Sequence, residues 1–351
     1  MTMPRRALGA SGIEVSALCL GSMTWGSQNT AAEAASQIDL AIERGVNFLD
    51  TAEMYPTTPR TPQTHGDTER VIGAWLERSG RRGDLVLATK VNGNGHQPDD
   101  DITGAKLRAS LEGSLRRLGT DHVDLYQLHW PNRGSYHFRK QWSYDPTAQR
   151  GPYSREHVRG NVVDVLETCD ALVREGKIRA VGLSNETAWG VMQFVELART
   201  RGLPRVASVQ NEYSLLCRLF DTDLAEIAHH EGVGLLAFSP LAAGILSDKY
   251  AGGAPPPAGS RRALNDTLNG RWTPHSERAS ARYAALAREH GLEPVQLALA
   301  FCLTRPFTTS VIIGATDLRQ LEANLSAADI GLDETTLAAI EAIRREHPMP
   351  M

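Results

Sequence analysis

Residues Leu85–His129 read LVLATKVNGNGHQPDDDITGAKLRASLEGSLRRLGTDHVDLYQLH, and they contain one full turn of the pattern that decides the fold. An aliphatic run, Leu85–Thr89, is followed by a segment with apolar residues at three- and four-residue intervals, Lys106–Leu118, and then by a second apolar run, Val123–Gln127. Short aliphatic runs suit strands buried on both faces, and the 3.6-residue period suits a helix lying over them. The unit is strand, crossover helix, parallel strand. Matching runs on either side predict strands at Ala17–Leu20, Val46–Leu49, Ile178–Gly182, Val206–Val209, Gly234–Ala237 and Ser310–Ile312. The helical period is equally plain in Ala31–Glu43, Val162–Arg174 and Arg278–Glu289. Eight such strands predict an α/β fold that closes as a (β/α)8 TIM barrel. An open doubly wound sheet usually stops earlier and carries a glycine-rich first turn. No GxGxxG occurs, and Gly93-Asn94-Gly95 lacks the third glycine and reads as a turn.

The barrel is expected to use the whole chain, residues 1–351, as a single domain, because α/β barrels routinely exceed ordinary domain lengths. Arg5–Val15, with Gly9-Ala10-Ser11-Gly12 at its centre, reads as a β-hairpin capping the barrel bottom. Three connections exceed minimal loops: Pro131–Arg159, Ala242–Pro274 and Glu53–Gly66. All leave the C-terminal ends of strands, the face where barrels place their chemistry. The middle one carries Gly252-Gly253-Ala254-Pro255-Pro256-Pro257, a stiff patch that reads as a lid or a surface excursion.

A formal charge of −4 gives no footprint for nucleic acid or an anionic membrane surface. Cys19, Cys169, Cys217 and Cys302 have neither CxxC nor Cys/His spacing, so they read as small buried apolar residues, with no metal site. The opening MTMPRRALGASGIEV has two arginines but no apolar h-region, and no 18-residue apolar run occurs, so a cytoplasmic location is expected.

Polar residues end three consecutive apolar strands: Asp50 after VNFL, Lys90 after LVLAT and His129 after VDLYQL. Barrel topology carries all three to one rim, with Tyr55 five residues beyond Asp50. The set suits carbonyl reduction, in which hydride addition at carbon leaves an alkoxide that needs a proton. The Tyr55 phenol would donate it, the Lys90 ammonium would lower the phenol's pKa, and Asp50 would keep that ammonium charged. His129 would hydrogen-bond the carbonyl oxygen. Singly, each residue reads as readily as a cap, a packing residue or a solvated charge.

The segments GVNFLDTAEMY (Gly45–Tyr55), LVLATK (Leu85–Lys90), VDLYQLHWP (Val123–Pro131), IRAVGLSN (Ile178–Asn185), VQNEYSLL (Val209–Leu216), LLAFSPLAAGILSDKY (Leu235–Tyr250) and VIIGATDLRQLEANL (Val311–Leu325) resemble the aldo-keto reductase superfamily. They occur in that family's order and cover nearly the whole chain. EMYP, LHWP and GLSNETAWGVM are most similar to the bacterial Tas-type branch, with potassium-channel β subunits more distant. The resemblance implies a catalytic tetrad of Asp50, Tyr55, Lys90 and His129. It further implies an NADPH site: Gly21, Ser22, Met23 and Gln28 along the cofactor, and Ser184, Asn185 and Gln210 on the carboxamide. Phe238 would stack on the nicotinamide, with Ser239, Pro240, Leu241, Ala242 and Gly244 along the pyrophosphate. For the 2′-phosphate it implies Lys249 and Arg261 from the long loop, and Gly314, Thr316, Gln320 and Asn324 where Gly314-Ala315-Thr316 opens a helix.

Trp25, Tyr55, His129 and Trp130 are the candidate contacts for a small-molecule carbonyl substrate. The loop beyond Trp130 interleaves Tyr136, Phe138, Trp142, Tyr144 and Tyr153 with Arg133, Arg139, Lys140 and Arg150. It reads equally as a recognition surface for an aromatic or anionic carbonyl compound and as a homo-oligomer contact. Two other classes compete with the reductase. One is a cofactor-sensing subunit resembling the channel β subunits. The other is a metal-dependent hydrolase on the same barrel, against which stand the missing HxH at the first strand and the helical setting of His229-His230.

Overall fold

The computed structural model describes residues 3–58, 61–93, 101–148, 153–253 and 255–351. Eight parallel strands close into a barrel: β3 (Leu18–Gly21), β4 (Phe48–Asp50), β5 (Val86–Val91), β6 (Val123–Leu128), β7 (Ile178–Ser184), β8 (Val206–Glu212), β9 (Gly234–Phe238) and β10 (Thr308–Ile313). Each strand pairs with the next, and β10 returns to β3 through Val311 opposite Leu18. Among the described residues the surrounding helices are α1 (Ala31–Glu43), α2 (Asp67–Ser79), α3 (Gly104–Leu118), α4 (Arg155–Arg174), α5 (Ala188–Arg201), α6 (Asp223–Glu231), α7 (Arg261–Leu264), α8 (Pro274–Glu289), α9 (Pro294–Thr304), α10 (Leu318–Leu325) and α11 (Glu334–Glu346).

Local chemistry sets the helix ends. Thr30, Thr103, Ser154, Thr187 and Thr273 each accept a backbone N–H in the first turn of the helix that follows, filling a donor that the helix leaves unpaired. Gly80, Gly119, Gly202 and Gly232 end helices in the left-handed conformation. Three helices begin earlier than their apolar period, the one expected from Lys106 by two residues, at Gly104. The helix expected from Val162 starts at Arg155 and the one expected from Arg278 starts at Pro274. In REHVRGN, the opening turns of α4, only Val158 is buried, so there is little apolar period to read. The connection from Pro131 therefore ends at Ser154, and the long loop after β9 contains α7 and a 3-10 stretch at Ala242–Ser247.

The antiparallel hairpin of β1 (Arg5–Ala7) and β2 (Glu14–Ser16) plugs the barrel bottom, as its sequence suggested. Leu8, Ile13 and Val15 are almost fully buried against Cys19, Phe48, Val86, Leu125, Ala180 and Leu236 inside the barrel. Gly9 has φ of 55°, and a Cβ there would meet the Ala207 carbonyl oxygen at 2.4 Å, so only glycine lets the hairpin sit this deep. The Arg6 guanidinium fastens the plug from the side, donating to the carbonyls of Thr308 at 2.6 Å and Leu303 at 2.8 Å. The larger apolar layer lies between strands and helices. With the bottom filled, the polar strand ends at the opposite rim form the open face.

Asn94 and Gly95 of the expected glycine turn, Arg150 of the aromatic loop and Ala254 of the Pro-rich patch lie outside the described residues.

Candidate active site

Asp50 closes β4 and Lys90 is the fifth residue of β5, both pointing into the top of the barrel. Lys90 Nζ lies 2.6 Å from Asp50 Oδ2, 2.8 Å from the Thr51 carbonyl and 3.4 Å from the Tyr55 hydroxyl. The lysine side chain is 0% exposed and the aspartate 3%, so the ammonium has exchanged water for these three oxygens. Tyr55 arrives on the turn after β4, held by its own N–H to the Ala52 carbonyl at 3.1 Å and by the Thr68 N–H to its carbonyl at 3.4 Å. His129 follows β6 directly, its N–H on the Val91 carbonyl. Its ring meets Tyr55 edge-on at 5.8 Å and packs against Trp130 at 4.7 Å.

Burial pushes the Tyr55 phenol above its ordinary pKa, Lys90 pulls it down and Asp50 pushes it up, and the net direction is upward. The lowering expected from Lys90 is present in sign, but loss of water outweighs it here. Burial alone would depress the Lys90 ammonium, yet Asp50 and Tyr55 reverse the balance and hold it above its usual value. A protonated phenol beside an ammonium that a carboxylate holds charged can release its proton and leave a stabilised phenolate.

A second layer of amides surrounds the carboxylate. Asp50 Oδ1 accepts from Gln127 Nε2 at 3.0 Å and Gln210 Nε2 at 2.9 Å, and Gln210 Nε2 also reaches Gln127 Oε1 at 3.1 Å. Asn185 sits in the left-handed conformation, φ 53°, and donates Nδ2 to the His129 carbonyl at 2.9 Å and to Ser184 Oγ at 3.1 Å. Ser184 Oγ in turn donates to the Gln210 carbonyl at 2.8 Å. Asn185 Oδ1 is buried with no hydrogen-bond partner among the described residues, an acceptor that a ligand's amide N–H would satisfy.

Around this centre, Gly21 has no room for a side chain, since a Cβ would meet Ile312 Cγ2 at 2.8 Å. Ser22 donates Oγ to the Asp50 carbonyl at 2.8 Å, and Met23 packs with Ala52, Met54, Tyr55 and Trp130. Gln28 reaches the long loop through the Gly259 carbonyl at 3.2 Å. Phe238 ends β9 partly buried on the barrel core. The chain beyond it, Ser239-Pro240-Leu241-Ala242-Ala243-Gly244, takes positive φ at Ser239, Ala242, Ala243 and Gly244. Such a run is costly for residues with a Cβ and is typical of ligand clamps.

The residues expected around a 2′-phosphate fall into two groups. Thr316 and Gln320 bond each other at 3.2 Å, and Asn324 donates to the Gly314 carbonyl at 3.1 Å. The helix beside them begins at Leu318 rather than at Gly314, because Asp317 caps it by accepting the Gln320 N–H at 2.8 Å. Lys249 lies over the Tyr250 ring at 5.3 Å, and Arg261 Nη2 lies 3.4 Å from Met23 Sδ, on the Tyr55 side. Trp25 shares Thr68 with Tyr55, its carbonyl accepting from Thr68 Oγ1 at 2.7 Å while the Thr68 N–H goes to the Tyr55 carbonyl. Trp25 is fully buried in the layer between strands and helices, with its indole N–H on Gln37 at 3.1 Å.

Sequence reading missed Gln127 and a rim cluster in which Glu212 holds Arg271 at 2.6 Å and Arg139 at 2.8 Å. A lone glutamine in the middle of the apolar run VDLYQL was the available signal for the first; nothing in the spacing pointed to the second. In the aromatic loop, Phe138 and Trp142 are exposed, and the Trp142 indole donates to the Met351 carbonyl at 2.9 Å. Arg133 pairs with Glu186 and stacks over Trp189 at 4.9 Å. No group of three His, Cys, Asp or Glu among the described residues is placed to hold a metal ion.

Residues 17–345 match the profile of the aldo/keto reductase family. The chain is 44% identical over 354 aligned positions to Protein tas of Escherichia coli (strain K12), covering 97% of each chain. It is 33% identical to the uncharacterized oxidoreductase YrpG of Bacillus subtilis (strain 168), covering 96% of this chain and 94% of that one. It is also 30% identical to a probable voltage-gated potassium channel subunit beta of Oryza sativa subsp. japonica, covering 99% and 98%.

Proposed function

The chain belongs to the aldo/keto reductase family, and on that premise we propose that it is an NADPH-dependent reductase of aldehydes or ketones in which Tyr55 delivers the proton. The observation that carries this reading is the buried contact of Lys90 with both Asp50 and the Tyr55 hydroxyl. A reduced nicotinamide dinucleotide bound at the open face supplies the hydride. His129, against the Tyr55 ring, orients the carbonyl oxygen toward the phenol. Tyr55 gives its proton to that oxygen, Lys90 stabilises the phenolate left behind, and Asp50 keeps Lys90 charged. Trp130 and Met23, packed on Tyr55, exclude water from the reacting carbon.

The residues fit the dinucleotide. The unpartnered Asn185 Oδ1 suits the carboxamide N–H, with Ser184 and Gln210 beside it. Phe238 offers a ring for stacking, and Ser239–Gly244 with Gly21, Ser22 and Gln28 would line the pyrophosphate. Lys249, Arg261, Gly314, Thr316, Gln320 and Asn324 would hold the 2′-phosphate, which is the ground for preferring NADPH to NADH. We read residues 1–351 as one catalytic unit acting in the cytoplasm on a small molecule. No helix among the described residues is long and apolar enough to cross a membrane.

The rice relative, named as a channel subunit, favours a second reading in which the same site senses cofactor redox state for a partner. Turnover separates the two. Oxidation of NADPH, followed by its near-ultraviolet absorbance over a panel of aldehydes, dicarbonyls and nitrobenzaldehydes, is expected for the wild type. Tyr55→Phe should lose about 10² to 10⁴ in kcat while still binding cofactor. Tight cofactor binding without turnover on every substrate would favour the sensor, and a fully active Tyr55→Phe enzyme would remove Tyr55 from its role.

A further inference from the structure

Gln127 has no part in the proton transfer described above, yet its placement is closely specified. It lies on β6 beside Lys90 on β5 and Gly182 on β7, and it is completely buried. Its amide has room because position 182 is glycine: a Cβ there would meet Gln127 Cγ at 3.0 Å. Its N–H group is spent on Asp50 Oδ1 and its oxygen takes an N–H of Gln210, which donates to the same Oδ1. The Asp50 carboxylate is thereby divided, one oxygen for the ammonium and one for two neutral amides.

We propose that Gln127 is a positioning residue that tunes the Tyr55 proton donor by drawing Asp50's charge away from Lys90. The inference rests on the reductase reading. Charge held on Oδ1 by amide donors is charge withheld from the ammonium, so Lys90 keeps more of its field for the phenol. The charged groups acting on Tyr55 are Lys90, Asp50 and, from the long loop, Arg261, with the His129 ring against its face. Cys19, near both Asp50 and Lys90, has its thiol pushed well up by burial and stays neutral. Gln127 acts on Asp50 directly and on Lys90 through it, and its hydrogen bonds go to Asp50 and Gln210 rather than to Tyr55.

With the amide removed, Asp50 neutralises Lys90 more fully and the phenol holds its proton more tightly. The alkaline limb of kcat for carbonyl reduction should then move upward by about half to one pH unit, the scale of one hydrogen bond to a charged partner.

The test compares wild type, Gln127→Met and Gln127→Leu in kcat–pH profiles with NADPH and a reactive aldehyde, with thermal midpoints recorded alongside. Methionine follows the glutamine's unbranched shape and leucine, branched at Cγ, does not, so a packing defect separates the variants while the lost donor is common to both. Equal upward shifts in the two variants, with the KM for NADPH held within about twofold, are the expected result. An unmoved limb, a downward shift, or a shift that follows the leucine packing defect alone overturns the proposal. If Gln127→Leu does not fold, the sign of the shift in Gln127→Met decides. A wild type with no Tyr55-dependent turnover overturns the reductase reading itself, and this inference with it.

Discussion

An ammonium with no solvent exposure survives only while every proton finds an oxygen, and Lys90 meets that condition through Asp50, Thr51 and Tyr55. Removing one partner of such a pair leaves the other charged and unpaired, a loss of about 3–5 kcal/mol. Lys90→Met should therefore lower stability by that order in chemical denaturation, and Asp50→Asn added to it should restore much of the loss without restoring activity. If the double variant is no more stable than the single, the ion pair is not what the fold depends on. Asp50, Lys90 and His129 were legible because each follows an apolar run at or beside the end of its strand. Gln127 was not, because one polar residue inside a buried strand has many bland explanations until its partners are seen. Nor does proximity to a strand end say which way an indole turns, and that of Trp25 turns into the apolar layer with its N–H on Gln37.

Secondary elements were legible to within a few residues wherever apolar periodicity ran their whole length, as in α1. Where the first turns are polar, as in α4, the cap was the better guide: Ser154 accepts the His157 N–H three residues on. Strand β6 carries the clearest electrostatic fastening, Asp124, whose carboxylate takes Arg82 at 2.8 Å, Arg179 at 2.6 Å and the Leu87 N–H at 2.8 Å. Burial disfavours its charge, but Arg82, the Leu87 N–H and Arg179 together outweigh burial and hold the carboxyl below its ordinary pKa. A depressed folded pKa means stability that is fully present above the unfolded value and lost as pH falls through the folded one. Asp124→Asn should thus cost about 3 kcal/mol near neutrality. The deficit should shrink below about pH 4, where the unfolded chain takes up the proton first. Urea melts across pH would show a constant deficit if the carboxylate's charge were irrelevant.

At the scale of the molecule, strand count and alternation made the barrel legible, and GASG made the hairpin legible, but how deeply the plug seats required coordinates. Gly9→Val would combine a left-handed φ with contact on the Ala207 backbone, and a destabilisation of about 2–4 kcal/mol is expected. Because the plug sits at the opposite end from Tyr55, kcat measured well below the melting temperature should stay within about twofold, and a large loss of kcat with an unchanged melting point would contradict that separation. Arg6 adds a further consequence, since its guanidinium bridges to Leu303 and Thr308, nearly the whole chain away. Until Thr308–Ile313 is in place, β3 and β9 each present a row of unmatched backbone groups. An incomplete chain that stops short of that last strand is therefore expected to self-associate rather than persist as a smaller folded species.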